Sequence, residues 1–180
     1  MRIPLVVPGA ERKERPSSLP STTPWRGDLG SSMTRTPGWV CIDIDPTVRP
    51  HVVADFNRLP LPLKSGSISE VNSSQVAEHL HVHLIEFLQD IYRVLSPNGS
   101  LKMTVPNMFS IKNRLLFLFG RIADGAEWNP HHVKLISARY LFQLLRHIGF
   151  DPRFDYRRWP GLPYRHLVSG SLCVDARKRP

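Results

Sequence analysis

The chain has 180 residues, 41% of them hydrophobic, which suits a single domain with a core, and its two cysteines, Cys41 and Cys173, cannot build a disulfide framework. It has no apolar run of about 18 residues, and IPLVV near the N-terminus is too short for a secretory signal, so we expect a cytoplasmic protein without a membrane span. The net charge of +9 lies mostly at the two ends, since residues 41–145 carry ten basic and nine acidic side chains, and a nucleic-acid partner is therefore only an alternative.

The N-terminal part of the sequence is predicted to be irregular. Residues 9–37 are rich in proline, serine, threonine and glycine, and prolines at this density cannot lie inside a helix. RIPLVV, which precedes this segment, predicts a short strand. We therefore expect residues 1–37 to form a short strand plus an irregular segment, and residues 38–180 to form the main part of a single domain.

From Gly38 onward the sequence predicts regular structure. Four strands are predicted from compact apolar or β-branched runs, namely WVCIDI, HVVAD, ISEVNSS and SLKMTVP. From Ala77 to Leu95, apolar side chains recur every three or four residues and predict an amphipathic helix, which Ser96–Gly99 ends with a turn. The apolar run RLLFLFG predicts either a buried helical turn or a lid over a site.

The C-terminal part predicts a second helix and two further strands. Ser137 suits a helix N-cap and Gly149 a C-cap, and apolar residues between them line one helical face. DPRFDYRRW and HLVSGSLCVDA follow as strands that can complete the sheet as an antiparallel pair. The alternation of strands and helices indicates an α/β fold.

Acidic residues follow two of the predicted strands. Asp43 lies at the end of WVCIDI, and Asp55 follows HVVA. Carboxylates at the carboxyl ends of neighbouring parallel strands can bind the hydroxyls and the amino group of a nucleoside, in the crevice that doubly wound sheets use. The sequence therefore predicts a nucleoside cofactor site at this edge of the sheet.

Five runs in a fixed order carry a family resemblance: PGWVCIDIDP, ADFNRLPLP, EVNSSQVAEHL, IYRVLSPNGSLKMTVPN and HHVKLISARYLFQLLRHIGF. Through them the chain, from about Pro37 to Arg177, resembles class I S-adenosylmethionine-dependent methyltransferases of the small bacterial methyltransferase-domain type. The resemblance implies a Rossmann-like, seven-stranded, mostly parallel sheet with an antiparallel C-terminal hairpin and flanking helices. It also implies S-adenosyl-L-methionine as the cofactor.

The resemblance assigns roles to the residues at the strand ends. It implies that Asp43 binds the ribose hydroxyls, since one carboxylate can accept two hydrogen bonds from a vicinal diol, with a solvated aspartate at the strand end as the alternative. Asp45 is the competing candidate for this role, although a turn or cap residue is the preferred interpretation of Asp45. It implies that Asp55 accepts the adenine amino group beside Phe56, with an Asx turn as the alternative for Asp55. The positions that open onto the methionine portion and the methyl acceptor are Asn72, Ser73 and Ser74.

Histidines near the predicted site are candidates for acid–base chemistry. His79 in the EHL step is the candidate catalytic residue, because an imidazole titrates near neutrality and can deprotonate an acceptor hydroxyl, and a structural role is its alternative. His131 and His132 precede the last helix, where either can face the acceptor, but packing within the loop or exposure to solvent is the preferred interpretation. The spacing of two among His79, His81 and His83 would fan their side chains around a helix, so we expect no metal site.

The glycine-rich loop of the family has no full counterpart in the sequence. Gly9, in LVVPGAERKERP, is the one glycine at the matching place, where we expect the backbone to approach the cofactor. The leading hypothesis is methyl transfer to an oxygen or nitrogen of a small molecule or glycan. The alternative is a non-catalytic methyltransferase-like module that binds an acidic partner or nucleic acid through its basic ends.

Overall fold

The computed structural model describes residues 24–33, 36–121, 131–155 and 167–179. Its centre is a seven-stranded sheet in the order β3-β2-β1-β4-β5-β7-β6. The strands are β1 Trp25–Leu29, β2 Trp39–Asp43, β3 Val52–Val53, β4 Ile68–Ser74, β5 Leu95–Pro106, β6 Phe150–Phe154 and β7 Ser171–Lys178. The strand predicted at RIPLVV lies outside the described residues.

Five parallel strands are followed by an antiparallel pair. β1 pairs in parallel with β2 and β4, β2 with β3, and β4 with β5. β7 pairs antiparallel with both β5 and β6. This confirms the predicted fold class. Chain order reverses between β1 and β4, which is where doubly wound sheets bind ligands at the carboxyl ends of their strands.

One strand lies in the segment that was predicted to be irregular. β1 falls within residues 9–37, so that prediction is wrong for residues 25–29. The strand WRGDL contains few apolar residues and follows a proline directly, which hid it from an argument based on composition. Its place between β2 and β4 decides its structure, because both neighbours supply ladder hydrogen bonds and Leu29 is buried in the core.

Three helices lie within the described ranges: α1 Leu84–Val94, α2 Ile111–Leu118 and α3 Ala138–Ile148. None of them is long and apolar enough to cross a membrane. The predicted caps of α3 are confirmed, since Ser137 Oγ accepts from Tyr140 N and Gly149 has a φ of +118°.

The predicted end of α1 near Leu95 is confirmed, but its predicted start is wrong, and the turn predicted after it belongs to a strand. The helix does not start at Ala77, because Ala77–His79 form a short 3-10 turn and the α-helix begins only at Leu84. The predicted turn Ser96–Gly99 lies within β5, where Asn98 has a φ of +62°. The pairing of β5 with β4 is irregular there, so the ladder absorbs the bend that the sequence indicated.

The apolar run after β5 forms α2, whose N-cap is Ser110. Asn113 Nδ2 donates to the Asn107 carbonyl at 2.9 Å, which holds the start of the helix near the end of β5. Leu118 and Phe119 nevertheless stay exposed. The buried helical turn is therefore the wrong one of the two predicted forms, and the lid stays a prediction.

The described helices cover mainly one face of the sheet. On the face against which α1 packs, alternate residues of β5 and β7 are buried and apolar: Leu101, Met103, Val105, Leu172, Val174 and Ala176. The opposite face is charged, and Glu70 forms ion pairs there with Arg26, at 3.5 Å, and with Lys102. A groove of about 560 Å³ extends over this face toward Asp175 and Arg177.

One partly buried ion pair ties α1 to the loop before β4. The Asp90 carboxylate accepts from Leu61 N at 2.8 Å and from Arg93 Nε at 2.6 Å. Arg93 also donates to the carbonyl oxygens of Leu61 and Leu63, at 3.1 and 2.8 Å. Charge-assisted bonds of this kind are stronger than neutral ones, so the pair fixes the loop against the helix.

Removal of the Asp90 carboxylate should therefore destabilise the fold. We expect Asp90→Ala to lower the free energy of unfolding by about 2 kcal/mol, because it leaves Leu61 N–H and Arg93 Nε–H without their acceptor. Urea unfolding followed by circular dichroism measures this change. Gln89→Ala, at the exposed neighbouring position, is the control and should stay within about 0.5 kcal/mol of the parent. Equal losses in both variants would contradict the role of Asp90.

Candidate functional site

A tight glycine turn follows β1 at the carboxyl edge of the sheet. Gly30 has a φ of +64°, a conformation that side chains rarely adopt, and its N–H donates to the Ile42 carbonyl at 2.9 Å. A Cβ added to Gly30 would lie 2.6 Å from Val76 Cγ2. The turn therefore requires glycine for its backbone conformation and for its space. Gly9, the glycine predicted for this role, lies outside the described residues.

Asp43 closes the next strand and is bonded to the glycine turn. Its Oδ2 accepts from Ser32 N at 2.9 Å, and its Oδ1 accepts from Asp45 N at 3.1 Å. The side chain is therefore held in place rather than solvated at a strand end, and each oxygen keeps a lone pair for a ligand. Asp45 caps a short 3-10 turn by accepting from Thr47 N, which confirms its predicted capping role.

Asp55 and Phe56 follow β3. Asp55 Oδ1 accepts from Asn57 N at 2.9 Å, as in an Asx turn, and its Oδ2 lies 3.3 Å from Arg58 Nε. The structure therefore contains the alternative that the sequence left open for this residue. Phe56 is buried in the core, with its ring centroid 6.4 Å from that of Phe87. Its ring is thus mainly a core element beside the strand ends.

The last three residues of β4 do not share one face of the sheet; they are Asn72, Ser73 and Ser74. Successive strand residues point to opposite faces, so Asn72 and Ser74 lie on one face and Ser73 on the other. Asn72 Nδ2 donates to Asp28 Oδ1 at 2.7 Å across the β1–β4 pair. Ser74 is exposed, whereas Ser73 is fully buried.

Two buried hydroxyls lie at the junction of β1 and β4. Ser31 Oγ and Ser73 Oγ have no hydrogen-bond partner among the described residues. An unpaired buried hydroxyl costs about 1–3 kcal/mol. Ser73 pairs in the sheet with Leu29, two residues before Ser31, so both hydroxyls belong to the same region. Together with the close backbone approach at Gly30, they suit a polar ligand at this edge.

A second group of polar side chains includes Glu78 and His79, which follow the last residue of β4 by four and five positions. His79 Nδ1 donates to the His131 carbonyl at 3.0 Å, which leaves Nε2 as the nitrogen with a free lone pair. Nε2 lies 4.0 Å from Glu78 Oε1, which is too long for a hydrogen bond. The rings of His79 and His132 meet edge to face with centroids 4.8 Å apart. Of the predicted histidines, His79 and His132 are thus brought together.

Burial changes the acid–base properties of this group. Glu78 is only 1% exposed, and burial raises the pKa of its carboxyl above the usual value despite the backbone bond and the neighbouring His79. Burial, followed by the nearby His79 and His131, lowers the pKa of His132. Each shift disfavours the charged form of its group.

Sequence reasoning missed three residues of this edge. Asp28 and Gly30 belong to β1 and its turn, and an acid two residues before a glycine at the end of a strand was the available signal, in the run DLG. Glu78 was noted only as part of the EHL step. The backbone hydrogen bonds from Val133 and Lys134 to the Glu78 carbonyl are tertiary contacts for which the local sequence contains no signal.

The sequence of this chain matches known methyltransferases over part of its length. Residues 38–103 match the model of the family described as "Methyltransferase domain". A "Probable S-adenosylmethionine-dependent methyltransferase" of Mycolicibacterium smegmatis is 31% identical over 118 residues, which make up 61% of this chain and 42% of that protein. The chain thus spans about two fifths of the length of this curated relative.

Solved structures with the same fold include methyltransferases. One is a "SAM-dependent methyltransferase, possible histamine N-methyltransferase" of Thermotoga maritima, at 14% identity and a TM-score of 0.61, with 86% of this chain and 82% of that one covered. Another is the CurJ carbon methyltransferase, at 16% identity and a TM-score of 0.59, with 90% of this chain and 50% of that one covered. At these identities the likeness concerns the fold alone. S-adenosylmethionine is the methyl donor that the name of the curated relative gives.

The glycine turn should not tolerate a side chain. We expect Gly30→Ala to lower the free energy of unfolding by about 2–3 kcal/mol, because a methyl group adds the contact with Val76 to the strain of a positive φ. Gly38→Ala is the matched control, since Gly38 has a φ of +79° with nothing within 4 Å of the added Cβ. Its loss, about 1 kcal/mol, should reflect backbone strain alone. Denaturant unfolding measures both.

A double-mutant cycle separates the contact from the strain. Val76→Ala removes the group that the new methyl would meet, so it should be less costly in the Gly30→Ala background, by at least about 0.5 kcal/mol. Additive losses would contradict the contact between these two positions.

Proposed function

We propose that this chain binds S-adenosyl-L-methionine at the carboxyl ends of β1, β2 and β4 and transfers the methyl group to an oxygen or nitrogen of a small molecule or sugar. The fold and the partial match to the methyltransferase-domain family support this proposal. The observation that supports the site best is the hydrogen bond from Ser32 N to Asp43 Oδ2, which joins the glycine turn to the strand-end carboxylate. Backbone close approach and a fixed carboxylate are what a nucleoside needs at a switch point.

Asp43 is proposed to bind the ribose. Its two oxygens each accept one backbone N–H, so their remaining lone pairs point in fixed directions. A vicinal diol offers two O–H donors at a spacing that one carboxylate can accept. Because the carboxylate is already oriented by the protein, little side-chain entropy is lost when a ribose binds.

The methionine portion is proposed to lie against the junction of β1 and β4. Ser31 and Ser73 offer two buried hydroxyls there that no described residue satisfies. Asn72 lies on the opposite face of β4 from Ser73 and donates to Asp28 Oδ1 at 2.7 Å, so its amide oxygen is proposed to bind the ammonium group where the ligand crosses the end of the strand. Ser74, which is exposed at the strand end, is proposed to border the methyl acceptor.

Asp55 and Phe56 are proposed to lie beside the adenine. The Asx-type bond of Asp55 with Asn57 N uses one lone pair of Oδ1, so the carboxylate can still accept from an exocyclic amino group. The backbone of Phe56 supplies the neighbouring contact, since its ring is occupied in the core. Ala54 N donates to the Asp43 carbonyl at 2.9 Å, which places the ends of β2 and β3 side by side.

The chemistry that the cofactor supplies is an electrophilic methyl carbon on a sulfonium, so the chain mainly has to align the acceptor with it. His79 is the proposed base for an acceptor that must lose a proton. Its Nδ1 is fixed as a donor by the His131 carbonyl, so Nε2 is the atom that can take the proton. An oxygen or nitrogen acceptor fits a base of this kind.

The non-catalytic alternative was motivated by the missing glycine loop. A glycine turn with a close backbone approach follows β1 at Gly30, so this motive no longer applies. Both chain ends are basic, and binding to an acidic partner would be an additional property rather than a replacement for cofactor binding.

Calorimetry with S-adenosylhomocysteine tests the cofactor site. We expect binding to the parent chain and an affinity at least about tenfold lower for Asp43→Asn, because a charge-assisted bond to the ribose is lost. Asp45→Asn is the matched control, since it removes an exposed carboxylate two residues away, and should bind like the parent. An absence of heat with folded parent protein, or equal losses in both variants, would refute the site.

Ser73→Ala should affect stability and binding in opposite directions. Without ligand, the removal of a buried unpaired hydroxyl should leave the free energy of unfolding unchanged or raise it by up to about 1 kcal/mol. The affinity for S-adenosylhomocysteine should fall about fivefold, because the ligand loses a hydrogen bond of about 1 kcal/mol. Unfolding and calorimetry on one sample measure both. A loss of stability without a loss of affinity would show a structural role.

A further inference from the structure

Glu78 is a buried carboxylate with the features of a metal-binding side chain. The residue is 1% exposed, and neither carboxylate oxygen has a hydrogen-bond partner among the described residues. A buried carboxylate is costly unless it is paired, hydrogen-bonded or bound to a metal ion. The basic group that the described residues place beside it is His79 Nε2, at 4.0 Å from Glu78 Oε1, which is beyond hydrogen-bonding distance.

Two imidazoles lie beside this carboxylate. One ligand atom each from Glu78, His79 and His132 lie within 4.8 Å of one another. Donor atoms on one zinc ion, each bound at about 2.0–2.2 Å, are roughly 3–4 Å apart. Side-chain rotations that move these three donor atoms by about 1 Å would therefore let all of them bind one ion.

The backbone around the group is fixed by hydrogen bonds. Val133 N and Lys134 N both donate to the Glu78 carbonyl, at 2.9 and 3.2 Å. His79 Nδ1 donates to the His131 carbonyl, the kind of bond that orients a metal-ligating histidine and leaves its other nitrogen for the ion. Lys134, the cation of this segment, directs its ammonium group to the Leu80 carbonyl. These hydrogen bonds hold residues 131–134 beside Glu78 and His79, although the two segments are distant in sequence.

We propose that Glu78, His79 and His132 bind a divalent transition-metal ion, of the zinc type, at the carboxyl edge of the sheet. Two imidazoles and one carboxylate leave a fourth position open, as in catalytic zinc sites. The site differs from the set of His79, His81 and His83 that the spacing argument excluded, because it takes two of its ligands from elsewhere than that run.

The open position suits an oxygen or nitrogen ligand of the methyl acceptor. A hydroxyl bound to such an ion loses its proton more easily than a free one, so the ion would activate the acceptor. With the ion bound, His79 Nε2 would be a metal ligand and not the base, so the proton of the metal-bound hydroxyl would pass to solvent. This role rests on the proposed function, whereas the metal site itself does not.

Titration of the whole chain with Zn²⁺, and with Co²⁺ as a spectroscopic probe, tests the proposal. We expect one ion per chain and retention of the zinc after dialysis. With Co²⁺ we expect a visible absorption spectrum typical of a four-coordinate site with nitrogen and oxygen ligands. Glu78→Gln, His79→Asn and His132→Asn should each weaken binding at least about tenfold, since a ligand contributes no less than its supporting residues. His81→Asn and His83→Asn, at exposed positions of the same segment, are the controls and should bind like the parent.

Two results would overturn the metal site. One is an absence of zinc binding by the folded parent chain. The other is equal affinity in the His132→Asn and His81→Asn variants, which would assign binding to surface histidines. Glu78→Gln removes a buried charge and should stay folded, as circular dichroism can verify, so a loss of binding in this variant cannot be ascribed to unfolding.

The same samples separate this proposal from the proposed function. Zinc binding is measured without S-adenosylhomocysteine, and S-adenosylhomocysteine binding is measured on metal-free protein. We expect Glu78→Gln to retain the affinity for S-adenosylhomocysteine while it loses zinc, and Asp43→Asn to show the reverse. Loss of both ligands in both variants would contradict two separate sites.

Discussion

The carboxyl edge of this protein depends on one close approach of backbone to side chain at Gly30. The Gly30 N–H reaches the Ile42 carbonyl of β2, while its missing side chain makes room for Val76, which follows β4. The turn then directs Ser32 N to Asp43. Elements from both sides of the switch point are thus joined over three residues, and the position of the carboxylate follows from the backbone and not from a flexible side chain.

The sheet surrounding this edge is covered unequally. α1 and α3 bury one face, whereas Glu70 on the other face lies between Arg26 and Lys102. Ion pairs at a partly exposed face add little stability, so the core on the helical side must hold the sheet together. This asymmetry also explains the sequence of β1. Gly27 and Leu29 face the core, but Arg26 and Asp28 point to the charged face, so the strand has no apolar run.

The elements that could be predicted from the sequence are those with local signals. WVCIDI, ISEVNSS and the caps of α3 were predictable because their signals are local: compact apolar runs, a serine N-cap and a C-terminal glycine. β1 was not predictable because its neighbours, and not its composition, make it a strand. The start of α1 was misplaced because the apolar period continues through a 3-10 turn at Ala77–His79 that has no helical hydrogen-bond ladder.

The residues of the candidate site also divide into those with a local sequence signal and those without one. Asp43 could be predicted because a carboxylate at the end of a buried strand is visible in a few residues of sequence, and its bond to Ser32 then gave it a fixed orientation. The pairing of Glu78 and His79 with His132 could not be predicted. His79 and the His131 carbonyl that it contacts are 52 residues apart, and only the folded chain brings them to 3.0 Å.

The unsatisfied polar atoms of this edge connect stability with binding. Ser31, Ser73 and Glu78 each keep a buried polar group without a described partner, at about 1–3 kcal/mol apiece. A ligand that satisfies them recovers this free energy when it binds, and binding to the folded state alone raises the stability in turn. The edge is therefore less stable without its ligands than its burial suggests. An apolar substitution there would raise the stability of the free chain and weaken the site, which distinguishes these residues from the core beneath them.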